Sequence, residues 1–183
     1  YDGWAENGCV GWGWKECLPY FKKSENNEVW ADNNHGSNGP LHVSDQKSPR
    51  PITHRFVEAA KEMQHRYTED FNNGDNEGVG LYQVTQFHDM AHNGERCSAA
   101  EAFLFPIMKR PNLTVMTKAQ VEKIVFKSNR AESVLVWKKG KRQVISASKE
   151  IILSSGSLNS PQILQRSGIG RKEDIEPHGI EMI

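Results

Sequence analysis

Lys149-Glu150-Ile151-Ile152-Leu153-Ser154-Ser155-Gly156-Ser157-Leu158-Asn159-Ser160-Pro161-Gln162-Ile163-Leu164-Gln165-Arg166-Ser167-Gly168-Ile169-Gly170 reads as a strand, a bare turn and a short helix in succession. Ile151, Ile152 and Leu153 are apolar without alternation, the pattern of a strand covered on both faces in a parallel sheet. Ser154 to Ser157 carry almost no side-chain bulk, so their backbone can approach a ligand closely at the carboxyl end of that strand. Ser160 is placed to cap the helix, Pro161 suits its first position, and Gly168 suits the left-handed residue after its end. A plain structural strand-turn-helix with no ligand fits the same residues.

The C-terminal third around this stretch is β-prone. Leu113–Met116, Gln120–Phe126, Ser133–Trp137 and Gln143–Ala147 read as strands, with turns at Ser128-Asn129 and at Lys139-Gly140-Lys141. They predict a small antiparallel meander that leads into Ile151. The first hundred residues are more mixed. Trp14, Cys17, Leu18 and Phe21 share one helical face, with Pro19 set to kink or shorten the helix. Asn26–Pro40 reads as a loop and Leu41–Ser44 as a short strand. Ile52, Phe56, Ala59, Ala60 and Met63 recur at helical spacing behind Pro51. Leu81–Phe87 is strand-like, Asn93-Gly94 marks a turn, and Ser98-Ala99-Ala100-Glu101 is a capping box whose helix runs to Pro106. The fold class expected is α+β, a mixed arrangement with an antiparallel β-meander and the strand-turn-helix. Its parts are residues 1–110 and residues 111–183.

Composition narrows the partners. Among 183 residues, 23 basic and 23 acidic side chains balance. No long basic run provides an electrostatic footprint for nucleic acid. Mean hydropathy is −0.68, and no apolar run is long enough to span a bilayer. Cys9, Cys17 and Cys97 form no Cys-x-x-Cys pair, which argues against a disulfide framework or a zinc site and for a reducing compartment. The start at Tyr1-Asp2-Gly3-Trp4 and the alternating end at Gly179–Ile183 lead us to expect a piece of a longer protein.

Three patterns imitate functional motifs. His88-Asp89-Met90-Ala91-His92 spaces two histidines four apart but sits between a strand and a turn, with no helix to carry a metal pair. The acidic loop Asp70–Gly78 misses the calcium-loop register, with Gly74, Asp75 and Leu81 where an oxygen ligand, a glycine and a glutamate belong. Gly11-Trp12-Gly13 lacks both the third glycine and the preceding strand of a dinucleotide fingerprint. No metal site is expected, and no nucleophile can be matched to any of the seven histidines.

Taken together, the chain resembles an internal part of a glucose-methanol-choline (GMC) oxidoreductase, on the bacterial choline and alcohol dehydrogenase side of that family. Gly156-Ser157, Ser160-Pro161, Ile163-Leu164 and Ser167-Gly168-Ile169-Gly170 are similar to the family's second signature in order and spacing. Tyr1-Asp2-Gly3-Trp4, Leu18–Glu25, His35-Gly36 with Gly39-Pro40-Leu41, Gly78-Val79-Gly80, Gly94–Ser98 and Arg110–Leu113 fall in the family's order. The resemblance implies that 111–183 is part of an FAD-binding domain. It makes 1–110 a mixed linker and helical segment with part of a substrate-side cap. It implies FAD contacts at Val121, through the main chain to adenine, and at Ser155, Gly156 and Ser157 beside the adenosine. A core or sheet role for Val121 stays open.

The family's glycine-fingerprint strand and first signature have no counterpart here, and its catalytic histidine lies C-terminal to Ile183, so no catalytic residue is assigned. The implied parent oxidises an alcohol, choline-like or another primary alcohol, to an aldehyde by hydride transfer to flavin, with oxygen or a membrane quinone as acceptor. The resemblance places it in the cytoplasm or on the periphery of the cytoplasmic membrane. On this view the fragment needs the N- and C-terminal parts of the same chain, is inactive alone, and does not retain FAD. Two alternatives are a non-enzymatic binding module and a structural fragment that self-associates.

Overall fold

The computed structural model describes all residues, 1–183. The chain divides into two compact units, Tyr1–Leu113 and Thr114–Ile183.

The first unit begins with a short helix α1 (Asp2–Glu6) and the longer α2 (Trp14–Ser24). The Asp2 carboxylate accepts the Trp14 N–H at 2.8 Å, giving one of the free donors at the start of α2 a partner. Pro19 lies inside α2 without ending it. A proline there removes only the bond to the Lys15 carbonyl, and Lys15 is exposed, so water can take its place. α2 runs directly into β1 (Glu25–Asn27), which pairs in parallel with β2 (Leu41–Val43). The loop between the two strands folds back on the end of α2. A Cβ on Gly36 would lie 1.9 Å from the Lys22 carbonyl oxygen, and one on Gly39 would lie 2.2 Å from the Ser24 carbonyl carbon. Only glycine permits so close a crossing.

α3 (Pro51–Glu62) forms where its period predicts, with Pro51 at the start. The buried side differs from the apolar stripe. Val57 is buried, while Ile52, Phe56 and Met63 are 71, 70 and 75% exposed. Periodicity defined the stripe, but none of these 183 residues covers it. Residues 81–87 form no continuous strand. Val84 exchanges both backbone bonds with Ser44, and then Thr85 and Phe87 turn to Cys97, Glu95 and Gly94. The segment changes partner midway, so no ladder extends. In the capping box, Ser98 Oγ accepts the Glu101 N–H at 3.2 Å, but the Ser98 N–H donates to Arg96 instead of to Glu101. The chain then makes a wide π-type turn, Ala100–Leu104, and a 3-10 turn, Phe105–Ile107.

The second unit contains the antiparallel meander, β3 (Ala119–Lys127), β4 (Arg130–Lys138) and β5 (Lys141–Ser146), in that order across the sheet. The β4–β5 turn has positive φ at both Lys139 (49°) and Gly140 (77°), the twist that a two-residue hairpin requires. Leu113–Met116, β-prone in sequence, joins no sheet. α4 (Gly156–Arg166) packs on β3 and precedes the short α5 (Lys172–Ile175). Ile124, Val136, Ile163 and Ile175 form the buried core of this unit.

The stretch from Lys149 to Gly170 departs from expectation twice. Ile151–Leu153 forms no strand, and Ile152 is 80% exposed. A strand forms only where another segment pairs with it, and no segment of this unit pairs with Ile151–Leu153. The helix also starts earlier, at Gly156, with Ser155 as its cap residue and Pro161 in its interior. Ser160 is not the cap, but its Oγ accepts the Ser155 N–H at 3.0 Å and so ties the turn to the helix. Gly168 takes the predicted left-handed conformation after the helix, with φ +93°.

Candidate functional site

The residues expected to face a cofactor lie on β3 and at the start of α4. β3 is an edge strand hydrogen-bonded only to β4. Val121 is half-buried in it, in register with Val136, and the ladder slips between Val121 and Lys123. Such a bulge turns main-chain groups away from regular pairing. The Val121 carbonyl accepts the side-chain amide of its neighbour Gln120 at 3.3 Å, so a donor can reach it. Beside it, the Glu122 carboxylate takes a bidentate pair from Arg142 at 2.7 and 3.1 Å. That hydrogen bond holds the Glu122 carboxyl below its ordinary value.

Ser155, Gly156 and Ser157 are all exposed. Gly156 has φ +85°, and a Cβ there would meet nothing within 4 Å. No side chain caps this helix end. The first N–H groups of α4 therefore point outward without intrahelical partners, at the end where the helix dipole favours negative charge. Free donors on a bulk-free turn suit the phosphate and hydroxyl oxygens of a nucleotide.

Sequence reasoning missed the bond that fixes α4 on β3. Ser167, buried at the end of the helix, accepts the Ile124 N–H through its Oγ at 2.8 Å and donates to the Ile163 carbonyl. The adjoining Gly168 cannot carry a side chain, since its Cβ would lie 2.4 Å from the Glu181 carbonyl oxygen. The Gly168 carbonyl in turn accepts the Ile183 N–H at 3.0 Å. Ser167-Gly168 stood out in sequence as a signature element and a helix stop. Its hydrogen bond across 43 residues had no local signal.

The first unit holds a second polar centre, whose residues stood out in sequence only within family-like segments and the acidic loop, not as a cluster. Buried His35 places Nδ1 3.2 Å from Glu25 and Nε2 3.1 Å from Asp70. Burial pushes the His35 pKa down. The hydrogen bond and charge of Glu25, and then those of Asp70, outweigh it and hold the pKa above the ordinary histidine value. Glu25 also accepts the Gly36 N–H, and Asp70 Oδ1 accepts the Asn72 N–H, so the cluster ties β1, the crossover loop and the 70–78 loop together. It borders a cavity of about 500 Å³ lined by Tyr1, Trp14, Phe21 and Phe71. Tyr1 packs against Trp4, Trp14 and Phe21 at ring separations of 5.0, 5.9 and 5.5 Å. Ser24, Asn34, Asn72 and Asn76 line it too, with Glu25 and His35, so its wall mixes aromatic rings with polar groups.

Two of the motif-like loops are closed by local hydrogen bonds. Asp89 accepts the backbone N–H groups of Ala91 and His92, closing a turn. Asp75 in the acidic loop pairs with Arg66 and accepts the Glu77 N–H. No group of three or more His, Cys, Asp or Glu side chains is arranged to hold a metal ion. The three cysteines are free thiols, Cys9 exposed and Cys17 and Cys97 buried.

The mixed helix and sheet fold, with its antiparallel sheet, is shared with FAD-dependent oxidoreductases. An FAD-dependent oxidoreductase from Chaetomium thermophilum superimposes with a TM-score of 0.85 at 28% identity, over 100% of this chain and 33% of that one. The GMC oxidoreductase family profile matches residues 1–180, and the chain belongs to that family. Among curated relatives, a mitochondrial choline dehydrogenase from Mus musculus is 38% identical over 183 residues, 100% of this chain and 30% of that protein. An alcohol dehydrogenase (acceptor) from Pseudomonas putida is 40% identical over 186 residues, 100% of this chain and 33% of that one. The chain thus spans about a third of the length of these relatives.

Proposed function

We propose that this chain is part of an FAD-dependent oxidoreductase that oxidises a small alcohol, choline-like or another primary alcohol, to an aldehyde. The family match over residues 1–180 carries this reading. The choline and alcohol dehydrogenase names of the relatives support the substrate class. Residues 111–183 then belong to the FAD-binding part, and 1–110 form a mixed linker and helical segment with part of the substrate-side cap.

The residues present fit the adenosine end of FAD. The free N–H groups of α4 at Gly156 and Ser157 offer donors, and the absence of side-chain bulk lets a ligand close in. The Val121 carbonyl lies next to a bulge in an edge strand and is open to a donor such as an adenine amino group. Bound FAD supplies the acceptor for the hydride leaving the alcohol carbon. The chain's own task is placement. Ser167 fixes α4 against β3, and this holds the two expected contact segments in one unit. None of the seven histidines here is assigned the proton of the alcohol; that base belongs to a further part of the parent protein, as do the other walls of the flavin site.

The exposed stripe Ile52, Phe56 and Met63 favours a second statement, that α3 is covered by other parts of the same chain or by self-association. The decisive experiment is a spectrum. The full-length protein should be yellow, with flavin bleached anaerobically by a primary alcohol, whereas residues 1–183 alone should be colourless after gel filtration. A colourless full-length protein that refuses added FAD would refute the flavin reading. Flavin retained by 1–183 alone would refute its dependence on the other parts.

A further inference from the structure

Four Asn-Gly steps occur in the chain, at Asn7-Gly8, Asn38-Gly39, Asn73-Gly74 and Asn93-Gly94. At such a step the backbone nitrogen of the glycine can add to the side-chain Cγ of the asparagine, and glycine puts no side chain in the way. All four asparagines are exposed, so exposure does not separate them. The attacking nitrogen does. Gly8 donates its N–H to the Ala5 carbonyl at 3.1 Å, Gly39 to that of Glu25 at 2.8 Å and Gly94 to that of Phe87 at 2.9 Å. A nitrogen held in this way must break its hydrogen bond before it can lose its proton and turn on the side chain. The Gly74 N–H has no acceptor in the chain.

The groups around Asn73 favour the same reaction. Asn34 Nδ2 donates to the Asn73 carbonyl at 2.9 Å, where the charge of the deprotonated Asn73–Gly74 peptide collects. The Asp75 N–H donates to Asn73 Oδ1 at 3.0 Å, the atom that becomes an oxyanion when Cγ is attacked. Fixed donors at the points where negative charge develops lower the barrier to its formation. Asn73 Nδ2, the leaving nitrogen, is held by nothing in the chain, whereas Asn7 Nδ2 is tied to the Gly3 carbonyl at 2.7 Å. A Cβ on Gly74 would meet nothing within 4 Å, so the step lies in open space within reach of water.

We propose that Asn73 is a site of spontaneous covalent modification, deamidated through a cyclic imide formed with Gly74. The Gly74 nitrogen gives its proton to water and bonds to Asn73 Cγ. The Cγ–Nδ2 bond then breaks, and Nδ2 leaves as ammonia with a proton from water. A second water opens the imide at either carbonyl, leaving aspartate or isoaspartate at position 73. No oxidant or reductant takes part. Either product adds a carboxylate beside Asp75 and Glu77, and isoaspartate also lengthens the main chain by a methylene. The change falls in the loop whose Asp70 holds His35 and whose Asn72, Gly74 and Asn76 line the cavity of the first unit. The inference is independent of the flavin reading.

The test is incubation of the full-length protein at mildly alkaline pH, with each Asn-Gly peptide followed over time by mass spectrometry and isoaspartate read by enzymatic methyl transfer. The Asn73 peptide should convert first. The peptides of Asn7, Asn38 and Asn93 should convert about twofold to tenfold more slowly, the factor by which one hydrogen bond of ordinary worth holds each nitrogen back. In concentrated urea, where all the glycine N–H groups are released, the four sites should convert at similar rates. N73Q, whose longer side chain would have to close a larger and less favoured ring, should remove the fast phase and leave the other three sites unchanged. Equal rates in the folded protein, or a lead by any other Asn-Gly site, overturn the proposal. So does a lead of Asn73 that persists in urea, because the rate would then follow the neighbouring residues in sequence and not the free N–H.

Discussion

Replacing Ser167 by alanine tests the attachment of α4 to β3. Ser167 Oγ accepts the N–H of Ile124, which is only 6% exposed, at 2.8 Å. Without the hydroxyl that donor stays buried with no partner, at a cost of about 1–3 kcal/mol. The Ile163 carbonyl is not orphaned, because it also accepts the Ser167 N–H at 3.0 Å. The loss therefore falls on one group, and on the β3–α4 contact in particular. Hydrogen exchange by mass spectrometry on the full-length protein is the appropriate assay, since local openings are read peptide by peptide. A cost of that size corresponds to exchange in 119–127 faster by about fivefold to a hundredfold. The peptide of α3, 51–62, should be unchanged. Unaltered protection of β3 in the variant would refute the claim that Ser167 holds the two elements together.

Two further outcomes concern the first unit. A histidine whose pKa is raised on folding contributes stability that is fully present below its unfolded value, near 6.5, and lost as pH rises through the folded value. The loop 70–78, anchored by His35 through Asp70, should therefore become more susceptible to limited proteolysis as pH rises above about 6.5, and H35Q should abolish that pH dependence. Gly36→Ala would place its Cβ 1.9 Å from the Lys22 carbonyl oxygen, so it should destabilise by about 3 kcal/mol or more in urea unfolding, whereas Gly74→Ala, at φ +102° in open space, should cost only about 1–2 kcal/mol.

The meander was legible because its signals are local. Alternating β-prone runs are separated by turns whose residues accept positive φ, and Lys139-Gly140 formed as its chemistry demands. Helix positions were legible for the same reason, as Pro51 and the period of α3 show. What covers a helix face is not local. The α3 stripe was recognised, yet the side buried in the unit is the one carrying Val57. Ile151–Leu153 fails similarly, since apolar character is written in three residues but a strand needs partners from elsewhere. The early start of α4 was hidden because Ser160 and Pro161 imitate a helix beginning, while the bare Ser155-Gly156 step serves instead. The Glu25–His35–Asp70 cluster brings together residues far apart in the chain and leaves no spacing motif, and only the fold joins its members.

The chain's own residues enter the proposed function through the expected contact of Val121 and Ser155–Ser157 with the adenosine of FAD. A crystal structure of the full-length protein with FAD bound measures this directly. The Val121 carbonyl should lie within hydrogen-bonding distance of the adenine edge, and the turn Ser155–Ser157 against the adenosine. FAD bound with its adenosine remote from both segments would contradict it.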